Sequence, residues 1–345
     1  MSGRPGVMMA AGLPLVLAFV SGLVVSGLVM RAGILDHPNA RSSHVQPTPR
    51  GGGLGIVVGF LLALLLLVPV AAPTDQAALA GIALCALLAA GLGFIDDLVT
   101  LGGALKFAIL ALISLALAGM AGPVTELGLA LPWILGWLGS ALFVFTLANA
   151  VNFMDGSDGL MASSLIPASL ALAVLADGPI SIAALALAAA TAGFAVWNAP
   201  ILAARGKLFS GDVGSLGASV ILAGLSLAWA STGPAGSVWL VPLLVLPLLG
   251  DVLLTMAARV RAGRSPFAAH RAHAYQLLIS IGLSHRRVAL IWGVMGMGCG
   301  VLALVGTALP PSGKAACLVA AVLIFTLAHR HWRKLAASKG LDTYQ

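Results

Sequence analysis

Apolar segments of about 20 residues, long enough for a helix to cross the hydrocarbon core of a bilayer, recur along the whole chain with short polar breaks between them. Of the 345 residues, 60% are hydrophobic and only 8% are charged, whereas soluble proteins carry roughly 25% charged residues. So few charged side chains cannot cover a water-exposed surface. The sequence therefore predicts an all-α, polytopic integral membrane protein that forms a single membrane-embedded domain over residues 1–345.

The hydrophobic pattern predicts about 11 transmembrane helices, with ten as the alternative because two boundaries, at Asp177-Gly178-Pro179 and before Pro310-Pro311, are poorly defined. The first segment is too long for the core of a signal peptide and has no small-residue cleavage site, so we expect it to be retained as a helix. The predicted spans are 7–30, 51–72, 77–95, 104–121, 131–149, 159–176, 179–197, 213–231, 237–257, 287–309 and 314–330.

The basic residues predict the orientation of these spans. With the N-terminus outside, 16 of the 18 Lys and Arg residues fall in inner segments, and only Arg4 and Lys314 fall outside. An excess of positive charge marks the cytoplasmic side, which predicts a periplasmic or external N-terminus and a cytoplasmic C-terminus. This distribution accounts for the net charge of +7 without a nucleic-acid partner, because no separate soluble module presents the basic side chains.

Ionisable residues that border membrane spans are costly and therefore indicate function. The first such cluster is Gly93-Phe94-Ile95-Asp96-Asp97, at the inner end of the third span. Two adjacent carboxylates at this place can bind or approach Mg²⁺. The alternative interpretation is a solvated helix end.

A second cluster, Asn149-Ala-Val-Asn152-Phe-Met-Asp155-Gly156-Ser-Asp158-Gly159-Leu160, follows a hydrophobic helix. At helical spacing, Asn149, Asn152 and Asp155 share one face. Amides can bind sugar hydroxyls or a uracil edge, aspartates can bind metal, and the glycines let the backbone approach a ligand. A polar helix cap followed by a turn is the alternative.

The third cluster, Phe209-Ser210-Gly211-Asp212-Val213-Gly214-Ser215-Leu216-Gly217, places one acid just before the next helix. The free N–H groups of a helix start suit a phosphate, and Asp212 can hold Mg²⁺ that is shared with substrate phosphates. The alternative is an ordinary N-cap formed by Asp212 or Ser210.

The fourth cluster, His270-Arg271-Ala-His273-Ala-Tyr275-Gln276, lies in the longest inner loop, 258–286. Two histidines and an arginine suit an anionic phosphate, because Arg forms forked bonds to phosphate oxygens, although a basic loop beside lipid headgroups is the alternative. Zinc is disfavoured, because no Glu lies between the histidines and no third ligand is evident nearby.

A fifth segment runs from Asp36 to Gly53 and is polar, basic and glycine-ended, so that with Arg50 it is suited to close over a phosphate ligand. Near the end of the ninth span, Asp251 is expected to line the same cavity or to pair with Arg259 or another nearby base.

Taken together and in this order, the five segments resemble the polyprenyl-phosphate N-acetylhexosamine-1-phosphate transferase family, of glycosyltransferase 4 type, over most of the chain. The resemblance implies an enzyme of the bacterial inner membrane with its active site on the cytoplasmic face. Such an enzyme transfers the sugar 1-phosphate of a UDP-N-acetylhexosamine donor to undecaprenyl phosphate and releases UMP. It requires Mg²⁺, for which Mn²⁺ can substitute.

The same resemblance implies roles for the residues. Asp212 is the principal metal ligand, with Asp155 as a second, and Asp212 also belongs to the catalytic set. Asp96 and Asp97 are the paired acids near the lipid phosphate, where Asp96 either takes a proton from that phosphate or positions it. The residues implied in substrate binding are Asn149, Asn152, Asp155, Asp158, His270, Arg271, His273, Lys106 and Arg50.

One departure narrows the resemblance. The peptidoglycan branch, phospho-N-acetylmuramoyl-pentapeptide transferase, usually carries a run of histidines where this chain has His270-Arg271-Ala272-His273. The form found here is closer to transferases that initiate O-antigen or other surface glycans.

A transporter or flippase is the alternative function, because polar groups in a many-spanning protein can line a pathway, and a non-catalytic scaffold is a third. Glycine-rich helix faces also permit a homodimer.

Overall fold

A computed structural model describes residues 4–36, 47–201, 205–266, 268 and 270–344. Over these ranges the chain forms thirteen α-helices, two 3-10 helices (Val68–Val70 and Ser237–Trp239) and one two-stranded sheet. The α-helices are α1 (Arg4–Ala32), α2 (Leu54–Leu67), α3 (Pro73–Val99), α4 (Gly103–Met120), α5 (Trp133–Met154), α6 (Leu160–Leu175), α7 (Gly178–Asn198), α8 (Gly211–Thr232), α9 (Val241–Leu244), α10 (Leu246–Arg261), α11 (Ala274–Ser280), α12 (His285–Gly306) and α13 (Pro311–Ser338).

The structure is predominantly helical and agrees with the prediction of a polytopic membrane protein. Within the described ranges, eight helices are long and apolar enough to cross a membrane, and a ninth span results if the bent pair Ser237–Leu244 and Leu246–Arg261 is taken as one. The apolar helices Leu54–Val70 and Leu160–Leu175 are shorter. Each of the eleven predicted segments therefore contains helix, but a count of eleven spans is not confirmed.

The segment at 237–257, which the hydrophobic pattern predicts as one continuous helix, is instead broken, with an 80° bend between its two parts. Pro242 and Pro247 flank the break at Val245. Proline lacks a backbone N–H and its ring clashes with the preceding turn, so helices kink or end at such positions. Hydropathy does not detect this break, because both halves are equally apolar.

Helix α8 forms the centre of the bundle, because every residue in its membrane-length window is buried. It packs against α2, α3, α5 and α7. Close approach depends on small residues: an added Cβ at Gly217 would lie 2.5 Å from the Val57 side chain, and one at Gly224 would lie 2.6 Å from the Ile82 side chain. Small residues at such contacts allow helix backbones to pack closely in lipid.

The outer surface of the bundle is apolar. Leu112, Leu142, Val174 and Leu327 are each more than 60% exposed (66%, 64%, 70% and 67%), as expected for side chains that face lipid rather than water. Helices α3 and α5 end, and α4 and α8 begin, at the same end of the bundle, which we call the carboxylate end. At the opposite end, Glu126 accepts a hydrogen bond of 2.5 Å from the Gly236 N–H.

Candidate active site at the carboxylate end

Lys106, in the first turn of α4, connects two of the predicted acids. Its ammonium group donates to Asp96 Oδ2 at 2.9 Å and also to Asp212 Oδ2. The other oxygen of Asp96 accepts the Leu101 backbone N–H at 2.6 Å. This arrangement needs a tight reversal between α3 and α4, which Thr100 provides in the left-handed conformation, with φ of 51°. Such a conformation is strained for a β-branched residue, so both neighbouring helices must hold it.

Asp97 points to the beginning of α8 rather than to Lys106. Asp97 is buried, with 8% of the residue exposed, and its Oδ2 accepts the Val213 backbone N–H at 3.2 Å. One free N–H at this helix start is therefore already satisfied by a side chain from α3. Ser210, at the N-cap position, forms no capping hydrogen bond with its side chain, so the predicted alternative of an ordinary Ser210 cap is wrong.

Close contact between α3 and α8 brings these groups together. A Cβ added at Gly93 would lie 2.2 Å from the Asp212 carbonyl oxygen, a separation that no side chain can occupy. The absence of a side chain at Gly93, one helical turn before Asp96 and Asp97, therefore lets both acids reach the beginning of α8.

The two asparagines of α5 have different environments. Asn152 donates to Asp212 Oδ1 at 2.8 Å and to Ser215 Oγ at 2.9 Å. Asn149 instead donates to the Phe145 carbonyl of its own helix at 2.8 Å. Helix α5 runs to Met154, past the predicted end at residue 149, which is why Asn152 lies on a regular helix opposite α8. The structure thus connects Asn152, but not Asn149, with Asp212 by a hydrogen bond.

Asp155 follows α5 directly and accepts a hydrogen bond from the Ser210 hydroxyl. Burial raises the pKa of Asp155 well above its ordinary value, and the nearby carboxylates Asp212 and Asp97 raise it further, whereas the bond from Ser210 acts in the opposite direction. A carboxyl group is driven toward its neutral form when it is desolvated among other negative charges. A cation at this place would reverse that effect.

Asp158 has a different role from Asp155. Its Oδ2 accepts the Gly206 N–H at 2.9 Å, and its own N–H lies 3.3 Å from His285 Nδ1. Asn198 supports the same loop, because its side chain accepts from the Gly159 N–H and donates to the Leu208 carbonyl, both at 2.9 Å. Asp158 therefore joins the loop after α5 to the loop before α8.

The predicted basic loop precedes α11 and lies against the loop after α5. The Tyr275 hydroxyl donates to the Phe153 carbonyl at 3.4 Å. The rings of His270 and His273 are 4.8 Å apart, and Arg271 is exposed. Burial lowers the pKa of the His270 imidazole to about 4; the neighbouring Arg259 and Arg333 act in the same direction, and Asp251 acts in the opposite direction.

Arg50 joins the fifth predicted segment to this end of the bundle. Strands β1 (Leu35–Asp36) and β2 (Thr48–Pro49) pair antiparallel, and Arg50 follows β2. Its guanidinium donates to the Asp97 carbonyl and lies 3.8 Å from the carboxylates of both Asp36 and Asp97. The remainder of the predicted segment, residues 37–46 with His37, Arg41 and His44, lies outside the described residues.

The donor set at this end suits Mg²⁺. Asp212 and Asp155 offer carboxylate oxygens, and Lys106 is the positive group that Asp212 now binds. Among the residues that the structure describes, no three His, Cys, Asp or Glu side chains form a ready-made metal site. Mg²⁺ usually binds one or two carboxylates and completes its shell with water and substrate phosphates.

The structure thus brings six predicted residues into one contiguous cluster, and Arg50, a seventh, contacts it at Asp97. Several residues that support the cluster were not predicted from the sequence. The cluster comprises Asp96, Asp97, Lys106, Asn152, Asp155 and Asp212. Ser210 and Ser215 lie within the third cluster of the sequence, but the sequence assigned them no role in binding. Asn198 and His285 carry no local signal beyond being polar residues at helix ends, and only their contacts with the loop after α5 reveal them.

These features define a class: a multi-span membrane protein in which carboxylates, a lysine and an amide converge at one end of a buried central helix. The chain belongs to glycosyl transferase family 4. The model of that family matches residues 79–230, a range that extends from α3 to near the end of α8 and includes the six clustered residues. The family resemblance predicted from the five segments is therefore confirmed, and the chain is a membrane-embedded transferase.

Relatives with known names agree with this assignment. The decaprenyl-phosphate N-acetylglucosaminephosphotransferase of Mycobacterium leprae is 32% identical, over 81% of this chain and 79% of the relative. The undecaprenyl-phosphate alpha-N-acetylglucosaminyl 1-phosphate transferase of Yersinia pestis is 28% identical, over 82% and 79% respectively. A probable undecaprenyl-phosphate N-acetylglucosaminyl 1-phosphate transferase of Bacillus subtilis is also 28% identical, over 82% and 80%.

Proposed function

We propose that this protein transfers an N-acetylhexosamine 1-phosphate from a UDP-sugar to undecaprenyl phosphate or a similar polyprenyl phosphate. The products are a polyprenyl-diphosphate-linked sugar and UMP. In this proposal the reaction initiates O-antigen or another cell-surface glycan. It takes place at the cytoplasmic face of the bacterial inner membrane, with the N-terminus outside, eleven spans and the C-terminus inside.

One observation carries this proposal: Asp212 accepts Lys106 at one carboxylate oxygen and Asn152 at the other, beside Asp96 and Asp97 at one end of an apolar bundle. A phosphoryl transfer requires little covalent chemistry from the protein beyond positioning and charge stabilisation. Fixed carboxylates, an ammonium group and helix N–H groups are suited to that task. Their position at a bundle end lets a soluble nucleotide sugar meet a lipid headgroup without entering the hydrocarbon core.

The proposed chemistry is a direct displacement. A phosphate oxygen of the polyprenyl phosphate attacks the β-phosphorus of the UDP-sugar, a new P–O bond forms, and the bond to the bridging oxygen breaks. The electron pair of that bond leaves with UMP. A two-step route through an aspartyl intermediate is the less favoured version of the proposal.

The roles of the residues follow from their contacts. Lys106 and Asp96 lie where the acceptor phosphate is proposed to bind, with Lys106 neutralising its charge and Asp96 positioning it. Asn152 holds the Asp212 carboxylate in one orientation. The basic loop with His270, Arg271 and His273, together with Arg50, is proposed to bind the diphosphate of the donor. Asp158 keeps the loop after α5 in place for the nucleotide sugar.

Asp212 and Asp155 are the residues proposed to hold Mg²⁺, for which Mn²⁺ can substitute. When bound, the ion supplies positive charge to the phosphate oxygens during transfer.

The competing function is a transporter or flippase. Helix α8 carries no charged residue after Asp212, and α5 carries none at all. Charged groups in transport pathways are expected near the middle of the membrane, whereas those described above cluster at one end. No observation favours transport over transfer.

The decisive experiment incubates the purified protein with undecaprenyl phosphate, Mg²⁺ and a panel of UDP-N-acetylhexosamines, and follows UMP release together with the lipid-linked product. Asp212→Asn removes the proposed metal ligand. Asp177→Asn is the matched control, because Asp177 is exposed at the predicted outer end of α7. We expect stoichiometric, Mg²⁺-dependent products from the wild-type protein and Asp177→Asn, and none from Asp212→Asn. Lack of product from folded wild-type protein over the whole panel, with translocation of a labelled lipid in vesicles, would favour transport.

A further inference from the structure

Asp251 has no part in the proposed reaction and is completely buried in α10. Its two oxygens accept the backbone N–H groups of Ala274 at 2.8 Å and Tyr275 at 3.2 Å. Asp251 therefore caps the beginning of α11 from another helix. His273 and His329 lie on either side of it, at 3.7 and 3.5 Å from Oδ1. The sequence-based expectation of a partner for Asp251 is met by these groups, whereas Arg259 binds elsewhere.

Arg333, on the part of α13 beyond the predicted span, is also buried, with 9% exposure. One guanidinium nitrogen donates to the Ala272 carbonyl at 3.1 Å, and another donates to the Thr343 carbonyl at 2.6 Å. The guanidinium carbon lies 4.9 Å from the centre of the Tyr344 ring. Arg333 thus joins Ala272, in the basic loop, to the C-terminal segment.

Arg259, at the end of α10, makes a parallel connection. Its guanidinium donates to the Ser265 carbonyl at 2.9 and 3.1 Å and also to the Tyr344 carbonyl. The segment between α10 and α11 is therefore held near its beginning by Arg259 and near its end by Arg333 and Asp251. Both arginines contact Tyr344, Arg259 through its carbonyl group and Arg333 through its ring, and Arg333 also binds the Thr343 carbonyl.

These contacts involve the backbone of the basic loop and leave its functional side chains unoccupied by the arginines. Arg271 is exposed and His270 is half-buried, so both can reach a ligand. Charge-assisted hydrogen bonds from buried arginines are strong and directional. Removing one partner of such a buried pair leaves unsatisfied carbonyl groups, which favours movement of the loop.

We propose that Arg333 is a positioning residue for donor binding: with Arg259, Asp251 and residues 343–344 it forms a brace that holds the His270–His273 loop where it can bind the nucleoside diphosphate. Arg333 itself touches no substrate. This inference depends on the proposed function for the identity of the ligand, but the brace is a property of the chain alone.

The kinetic test compares Arg333→Gln and Arg333→Lys with Lys334→Gln, a neighbouring exposed residue of the same helix. The rate is measured at varied concentrations of UDP-sugar with saturating undecaprenyl phosphate, and then at varied concentrations of undecaprenyl phosphate with saturating UDP-sugar. For Arg333→Gln we expect the donor KM to rise about tenfold, equivalent to about 1.4 kcal/mol, while kcat and the acceptor KM stay within about threefold. Arg333→Lys should recover part of the loss, because Lys retains the charge without the fork. Lys334→Gln should behave as wild type.

A second measurement does not depend on turnover. Hydrogen–deuterium exchange of the detergent-purified protein is followed in peptides from the basic loop and from α8. Arg333→Gln should accelerate exchange around Ala272 to Tyr275 and leave α8 unchanged. If Arg333→Gln does not fold, Arg259→Gln, on the other arm of the brace, replaces it in both measurements.

The outcomes separate the two proposals. Unchanged loop exchange, or equal losses toward donor and acceptor, would overturn the brace even if the wild-type protein transfers sugar phosphate. Faster loop exchange in a protein that uses no UDP-sugar would support the brace and overturn the proposed function.

Discussion

The side-chain amide of Asn152 donates a hydrogen bond of 2.8 Å to Oδ1 of Asp212, which lies 60 positions further along the chain. Because Lys106 binds Oδ2, the Asp212 carboxylate has a donor at each oxygen, one from α5 and one from α4. Its orientation is therefore set before any substrate binds. Preorganised charged groups of this kind lower the barrier of a transfer reaction, since they need no reorganisation when charge develops.

The first prediction compares the two asparagines of α5. Asn152→Ala should lower kcat about 100-fold, the usual effect of losing one preorganised donor, because Asp212 can then rotate. Asn149→Ala should have a clearly smaller effect, because Asn149 donates to the Phe145 carbonyl within α5. Initial rates of UMP release at saturating substrates measure both. An equal loss in the two variants would mean that Asn149 contacts substrate directly.

The second prediction concerns competition between Lys106 and the metal. Lys106→Gln removes the positive charge that Asp96 and Asp212 share. The maximal rate should fall about 100-fold, because the acceptor phosphate loses its cationic partner. The Mg²⁺ concentration for half-maximal rate should fall as well, because the carboxylates no longer bind an internal cation. A Mg²⁺ titration of the rate, after treatment with EDTA, measures both quantities.

Lys339→Gln, an exposed residue beyond the end of α13, is the charge-matched control for that titration and should leave both quantities unchanged. A higher Mg²⁺ requirement in Lys106→Gln would show that the lysine supports metal binding instead of competing with it.

The third prediction uses two glycines of α3. A Cβ at Gly93 would lie 2.2 Å from the Asp212 carbonyl oxygen, whereas nothing lies within 4 Å of one at Gly91. Gly93→Ala should therefore push α3 away from α8, at a cost of about 1–3 kcal/mol, and disrupt the hydrogen bond from Val213 to Asp97. Gly91→Ala should be neutral or stabilise the helix by up to about 1 kcal/mol. Thermal unfolding in detergent and the transfer rate test the pair, and equal melting temperatures would contradict the close contact of the two helices.

The fourth prediction follows from His270. Burial and nearby positive charge lower the pKa of His270 from 6.5 to about 4, so the unfolded chain binds a proton more readily than the folded one. Neutral His270 therefore favours the folded state above about pH 6.5, and this contribution to the free energy of unfolding is lost as the pH falls toward 4 and the unfolded chain takes up the proton. The wild-type protein should therefore lose about 1 kcal/mol more stability than His270→Gln between about pH 7 and pH 5, since solvent screens this half-buried group and reduces the effect of the full pKa shift. Melting temperatures at the two pH values measure the difference, and parallel curves would place His270 in a solvated position.

The sequence by itself determined the membrane-embedded helical class and the family. Hydrophobic length is a local property, so apolar runs such as 104–121 and 213–231 correspond closely to α4 and α8. The five polar segments identified the family because the identity and order of their residues can be read from the sequence without any knowledge of contacts. The residues Asp96, Asp97, Asn152, Asp155 and Asp212 could be selected in the same way, since polar groups at the ends of apolar helices are rare and costly.

Only the tertiary structure decided which of these residues act on one another. The packing of α3, α4 and α5 around α8 determines these contacts. It lets Asn152, but not Asn149, reach Asp212. It also pairs Lys106 with Asp212 and brings Asp97 to the Val213 N–H. The brace formed by Asp251, Arg259 and Arg333 likewise joins positions far apart in the chain. Hydropathy and spacing describe neighbours along the sequence, whereas a hydrogen bond between helices depends on distances that only packing sets.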